Sequence, residues 1–241
     1  MSSFIVTQEE QALASDPDAE VVLKGMLDLI ESTGLHAATF YLNRTYGLKI
    51  WEDQTVEMYH IELPDESIDV EVVFIKNYLL RGYNNYATMG AYNDGGWVAT
   101  SSRVYCSTGE YNLNSENLKF SFLMHEGLHF ADLTDYPDLS SADLEYRAKL
   151  AEMMMLTDAH IYDALDQFVV NASDNDRAFS HPYANYHLVQ DLSRIVFDSD
   201  YVGDMARWRS VPYTQLNAAA AQLYEQSREQ LQRDPLVSEI L

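Results

Sequence analysis

The chain is poor in cysteine, in basic residues and in long apolar runs. Its single cysteine, Cys106, excludes an internal disulfide framework and any cysteine-rich zinc knuckle. Cys106 reads as a small, half-buried residue on a strand rather than a nucleophile. Only 15 basic residues face 38 acidic ones, for a formal charge of −23. Such a surface repels phosphate backbones and anionic lipid, so nucleic acid and membranes are not expected partners. It suits high solubility or a cationic substrate. No stretch approaches the roughly 18–20 continuous apolar residues of a membrane span. The first residues, Met1 to Glu10, lack the basic and apolar regions of a signal peptide. At face value this predicts a soluble, cytoplasmic protein, the alternative being the mature form of an exported one. There is no internal repeat and no low-complexity linker.

With 241 residues, 47% of them apolar, the chain can bury a sizeable core as one domain or two small ones packed together. A first helix is expected from Pro17, capped by Ser15 or Asp16 and closed by Gly34. A second, short helix is expected over 35–46, ending at Gly47. Between Leu48 and Tyr105 the texture is that of strands: Ile50-Trp51, Val56 to Leu63, Val70 to Tyr78 and Trp97 to Cys106 carry β-branched and aromatic residues. The cluster Asn93-Asp94-Gly95-Gly96 reads as a turn. Beyond Ser115 the pattern is helical, with helices expected over 115–134, 141–170 (with a break), 183–197 and 214–233, punctuated by prolines. The expected fold class is α+β and mainly helical. It comprises a small β-containing part (1–112, with an antiparallel or mixed sheet) packed on a helical part (113–241). A single catalytic domain of this kind would hold its site between the two parts.

One segment carries a mechanism: His125-Glu126-Gly127-Leu128-His129. Histidines four apart on a helix lie on one face and can hold one metal ion between them. Glu126, next to the first histidine, is placed to take a proton from a water at that metal. Zinc suits two imidazoles and a carboxylate, with one position left open. From Phe120 to Ala131 the only polar residues are Ser121, His125, Glu126 and His129. A helix apolar on nearly all sides is buried, and burying these groups without partners would be costly.

The pattern resembles the zincin metallopeptidases and, more narrowly, their gluzincin branch, over roughly residues 97–160. The resemblance implies a zinc peptidase acting on peptide or protein substrates, with zinc as cofactor and a glutamate on the following helix as third ligand. Helix register ranks the candidates. Ser140 or Ser141 caps the next helix, with Asp143 placed for a capping box. Glu145 then comes level with His129 across a short antiparallel turn, and Glu152 lies two turns deeper on the same face. Lys149, four residues after Glu145, stands where many gluzincins carry an aspartate, and could pair with Glu145 instead. Asp132, one turn past His129, is the candidate to steady that histidine. The metzincin pattern would need a glycine at 132 and a ligand at 135, where this chain has Asp132 and Asp135; Asp135 is a poor third choice.

Zincins of this kind also use a later Tyr or His to stabilise the oxyanion. The segment His181-Pro-Tyr-Ala-Asn-Tyr-His187 offers His187 and Tyr183 for that role. The strand over 97–105 is a candidate edge for pairing with an extended peptide. Met153-Met154-Met155 reads as core filler and His160 as exposed. Asp174-Asn-Asp176 and Asp198-Ser-Asp200 lack the spacing of a calcium loop.

Overall fold

A computed structural model describes residues 17–42, 45–91, 95–100, 103–109 and 115–241. The fold is α+β and mainly helical. Helix α1 (Pro17–Glu31) is followed by strands β1 (His36–Leu42), β2 (Thr45–Glu62) and β3 (Ser67–Leu80). The short helix α2 (Tyr83–Ala87) and strands β4 (Gly96–Thr100) and β5 (Arg103–Ser107) come next. The rest is helical: α3 (Glu116–Leu118), a π-helical stretch (Lys119–Met124), α4 (His125–Asp135), α5 (Ser141–Met155) and α6 (Ile161–Val170) lead to α7 (Ser180–Phe197), α8 (Met205–Trp208) and α9 (Tyr213–Arg233). Among the described residues no helix is long and apolar enough to cross a membrane.

The chain divides into two compact units, Met1–His60 with Asp69–Leu113, and Ile61–Ile68 with Asn114–Leu241. The first holds a mixed five-stranded sheet in the order β1-β2-β3-β5-β4. β1 pairs antiparallel with β2, β3 runs parallel to β5, and β4 pairs antiparallel with β5 at the sheet edge. Its core is aromatic: Trp51 and Trp97 are buried with Val73 and Ile75. Trp97 stacks on its cross-strand partner Tyr105 at 4.7 Å, and the buried Lys49 ammonium lies 3.7 Å from the Trp97 ring centroid. Such pairs are the unit of sheet stabilisation, and the cation–π contact accommodates the lysine.

Three expectations are corrected. The helix expected over 35–46 is instead β1 and the start of β2, in register from His36↔Trp51 to Leu42↔Thr45. The run Thr39-Phe40-Tyr41 favours strand, and pairing along all of β1 overrides the helix-forming Ala37 and Ala38. The single strand expected over 97–106 is two strands folded back on each other. Of the methionine run, Met153 is buried but Met155 is exposed, because α5 ends there. The caps at Ser15 and Asp16 and the turn residues Asn93 and Asp94 lie outside the described residues.

In the second unit, α5 is the central element, packed by α4, α7 and α9. Every residue from Ala142 to Met153 is buried, yet the stretch carries five charged side chains. A helix buried on all sides is normally apolar, and charges there must be paired. Their partners define the interior of this unit. The expected break in the 141–170 helix falls after Met155, where the Asn217 amide caps the Met153 and Leu156 carbonyls and the Glu116 carboxylate accepts from Thr157.

Candidate metal centre

Ser115 starts the motif helix by accepting a hydrogen bond from the Leu118 amide at 3.1 Å. The backbone then passes through the π-helical stretch Lys119–Met124 directly before His125. Such insertions are rare inside helices and concentrate at functional sites, where they re-aim the residues that follow. On the motif itself, Gly127 allows close packing. A Cβ at this position would lie 3.1 Å from Ile68 Cδ1 and 3.5 Å from Leu63 Cδ2, at the tip of the β2–β3 hairpin. The other faces of α4 are therefore free to meet α5.

There His125, His129 and Glu145 converge, with potential donor atoms within 4.8 Å of one another. Nε2 of His125 lies 3.4 Å from Glu145 Oε2, and Nε2 of His129 lies 3.6 Å from Glu145 Oε1. Ligand bonds near 2.0–2.1 Å in a tetrahedron imply donor separations of about 3.3 Å. The rings meet nearly edge to face, with centroids 4.7 Å apart. All three residues and Glu126 are at most 5% exposed, with Glu126 fully buried.

His129 supplies the fit test. It is 1% exposed, and neither of its ring nitrogens makes a hydrogen bond. Burial, helped by the neighbouring His125, holds its pKa well below the usual histidine range, so the ring is neutral at pH 7. A neutral buried imidazole with an unsatisfied Nε2 beside a carboxylate is a metal ligand's protonation state and setting. Glu145 is ionised: burial pushes its carboxyl up, but His181, Lys149 and His125 together hold it well below the usual range. Two neutral-capable imidazoles and one carboxylate are the donor types zinc takes.

Glu145 has two further partners. Lys149 Nζ donates to Oε2 at 2.5 Å, and Nδ1 of His181, near the start of α7, lies 2.9 Å from the same oxygen. The Lys149 pairing was legible in the four-residue spacing; His181 was not. Its only signal in the sequence is weak, a histidine followed by Pro182 at a helix start. Tyr183 and His187 contact each other, with ring centroids 4.4 Å apart, and Tyr183 also packs on Arg177. The structure thus groups His181 with the cluster and Tyr183 and His187 with Arg177. Burial lowers the pKa of His187.

Glu152 Oε2 lies 3.9 Å from Nδ1 of His125, an ionic contact beyond hydrogen-bond distance. Asp132 does not steady His129. It accepts two bonds from the buried Arg147, from Nε at 2.8 Å and Nη2 at 3.0 Å. Asp135 is exposed and apart from the cluster. Asp143 lies at the capping-box position, yet Ser140 Oγ donates to its carboxylate at 2.5 Å, and Arg177 and the Ile240 and Leu241 amides also bind it. Asp176 accepts from the Ala178 amide, and Asp198 is the left-handed cap of α7.

Compared with protein-family models, curated proteins and solved structures, the chain matches none.

Proposed function

We propose that this chain is a zinc-dependent hydrolase, and within that class a metallopeptidase. The observation that carries the reading is the buried convergence of His125, His129 and Glu145, with both ring nitrogens of His129 lacking a hydrogen bond. Zinc held by these three residues would supply Lewis acidity, polarising a carbonyl and making water acidic at neutral pH. Glu126 follows His125 directly on α4 and is the general base: its carboxylate takes a proton from the attacking water and passes it to the leaving amine. Glu152, 3.9 Å from His125 Nδ1, would orient that ring by closing to hydrogen-bond distance, while Lys149 and His181 hold Glu145 in place. His187 and Tyr183 remain the proposed oxyanion donors, a role that substrate binding would have to bring about. The formal charge of −23 favours cationic peptides as substrates. Glu126→Gln should retain zinc and lose hydrolysis of a peptide library; undiminished turnover by that variant would sink the mechanism.

A second reading is favoured by the burial of the cluster and by the Lys149 ammonium on its carboxylate. In that reading the domain is a metal-stabilised binding module, or acts on a non-peptide substrate. Zinc-dependent thermal stability without peptide turnover in the wild type would select it.

A further inference from the structure

The residue that departs from the resembling families at this site is Lys149, and its surroundings are unusual for a lysine. Its side chain is 5% exposed and its ammonium is committed to the site: Nζ lies 2.5 Å from Glu145 Oε2 and 3.2 Å from Nδ1 of His181. On its outer side it meets the Phe168 ring at 5.9 Å. Lys149 and His181 both meet Oε2 of Glu145, the oxygen that also lies 3.4 Å from His125 Nε2, whereas Oε1 faces His129 Nε2 at 3.6 Å.

Charge decides what this means. The Glu145–Lys149 pair is neutral as it stands. A divalent cation joining it adds two positive charges to a buried space that also holds the Glu126 and Glu152 side chains. Were residue 149 neutral, the charge around the same cation would be one positive unit lower. At separations of a few ångströms in a medium of low polarity, that extra repulsion is a large fraction of a metal's binding free energy. Lys149 also withdraws electron density from the carboxylate that must donate to the metal.

We infer that Lys149 is a positioning residue of the metal centre, holding Glu145 by one oxygen and weakening the site's affinity for a divalent cation. The ion is therefore held more weakly than it would be beside a neutral residue. The inference rests on the metal reading above, and it adds what sets the affinity. Helix geometry alone explains the pairing, since lysine follows glutamate by one turn; the burial of the ammonium against the ligand carboxylate makes it a determinant of binding.

The test is a competition titration of the full chain with zinc against a chromophoric chelator at fixed pH. Wild type, Lys149→Met, Lys149→Arg and His129→Ala are compared. Lys149→Met should bind zinc at least about ten-fold more tightly than the wild type. Lys149→Arg, which keeps the charge, should bind no more tightly than the wild type, and His129→Ala should lose stoichiometric binding. Cobalt(II) spectra of wild type and Lys149→Met should match, showing the same donors. If Lys149→Met does not fold, Lys149→Gln carries the same expectation. Stoichiometric zinc in the wild type with equal or weaker binding in the neutral variants overturns the inference and leaves the metal reading standing. Binding by none of them overturns both.

Discussion

Replacing His129 by leucine separates a metal ligand from an ordinary core histidine, because the two predict opposite signs in the absence of metal. His129 is buried with neither ring nitrogen hydrogen-bonded, and its lowered pKa keeps it neutral at pH 7. A buried polar group left unsatisfied costs about 1–3 kcal/mol, and an apolar side chain of similar reach removes that cost. In the presence of a chelator, His129→Leu should therefore be more stable than the wild type by about 1–3 kcal/mol. For a chain of this size that raises Tm by roughly 2–12 °C, at about 2–4 °C per kcal/mol. Zinc reverses the order. A ligand at a thousand times its Kd stabilises the folded state by about 4.1 kcal/mol, and only the wild type should gain it. Thermal denaturation of both proteins, with chelator and with excess zinc, gives the four values needed. A variant less stable in chelator, combined with a zinc shift equal in both proteins, would refute the reasoning.

Other predictions concern the residues around the cluster. Arg147→Met strands the Asp132 carboxylate in the interior, away from the bidentate bonds it now accepts, and should cost about 3–5 kcal/mol in urea denaturation. The double variant Asp132→Leu with Arg147→Met should recover much of that loss; a single-variant cost below about 1 kcal/mol would mean the pair is not sealed from water. Glu152→Gln should weaken zinc binding by about 10–100-fold, the usual effect of removing a carboxylate that orients a ligand histidine. Glu145→Gln should weaken it further, and the reverse ranking would exchange their roles. Burial pushes the Cys106 thiol up to about 12, so it stays protonated at neutral pH. Ellman's reagent should leave the native protein unmodified and react with one thiol per chain after denaturation; rapid native labelling would contradict the buried setting.

The candidate site's three converging residues were legible in the sequence because helix geometry is periodic. Two histidines four apart share a face, and counting outward from the turn at Tyr136-Pro137 brings Glu145 level with His129, where the structure has it. The Lys149 pairing followed from the same spacing. What stayed hidden depends on contacts between distant segments. Arg147 on the next helix claims Asp132, and Arg147 is itself held by Ser227 and Tyr224, more than 75 residues further along. His181 reaches Glu145 from a helix whose approach no local pattern encodes. The π-helical stretch before His125 has no sequence signature of comparable strength. In the first unit, the alanines of β1 read as helix until their pairing with β2 is known, since strand formation depends on the partner more than on the residues themselves.

Whether the chain holds zinc decides its proposed function. Zinc per chain, measured by elemental analysis of the wild type purified without chelators and then exposed to zinc and desalted, tests it most directly. One zinc per chain, lost together in His125→Ala and His129→Ala, is the result the account predicts. A wild type that takes up no zinc, or takes up as much when both histidines are gone, would contradict it.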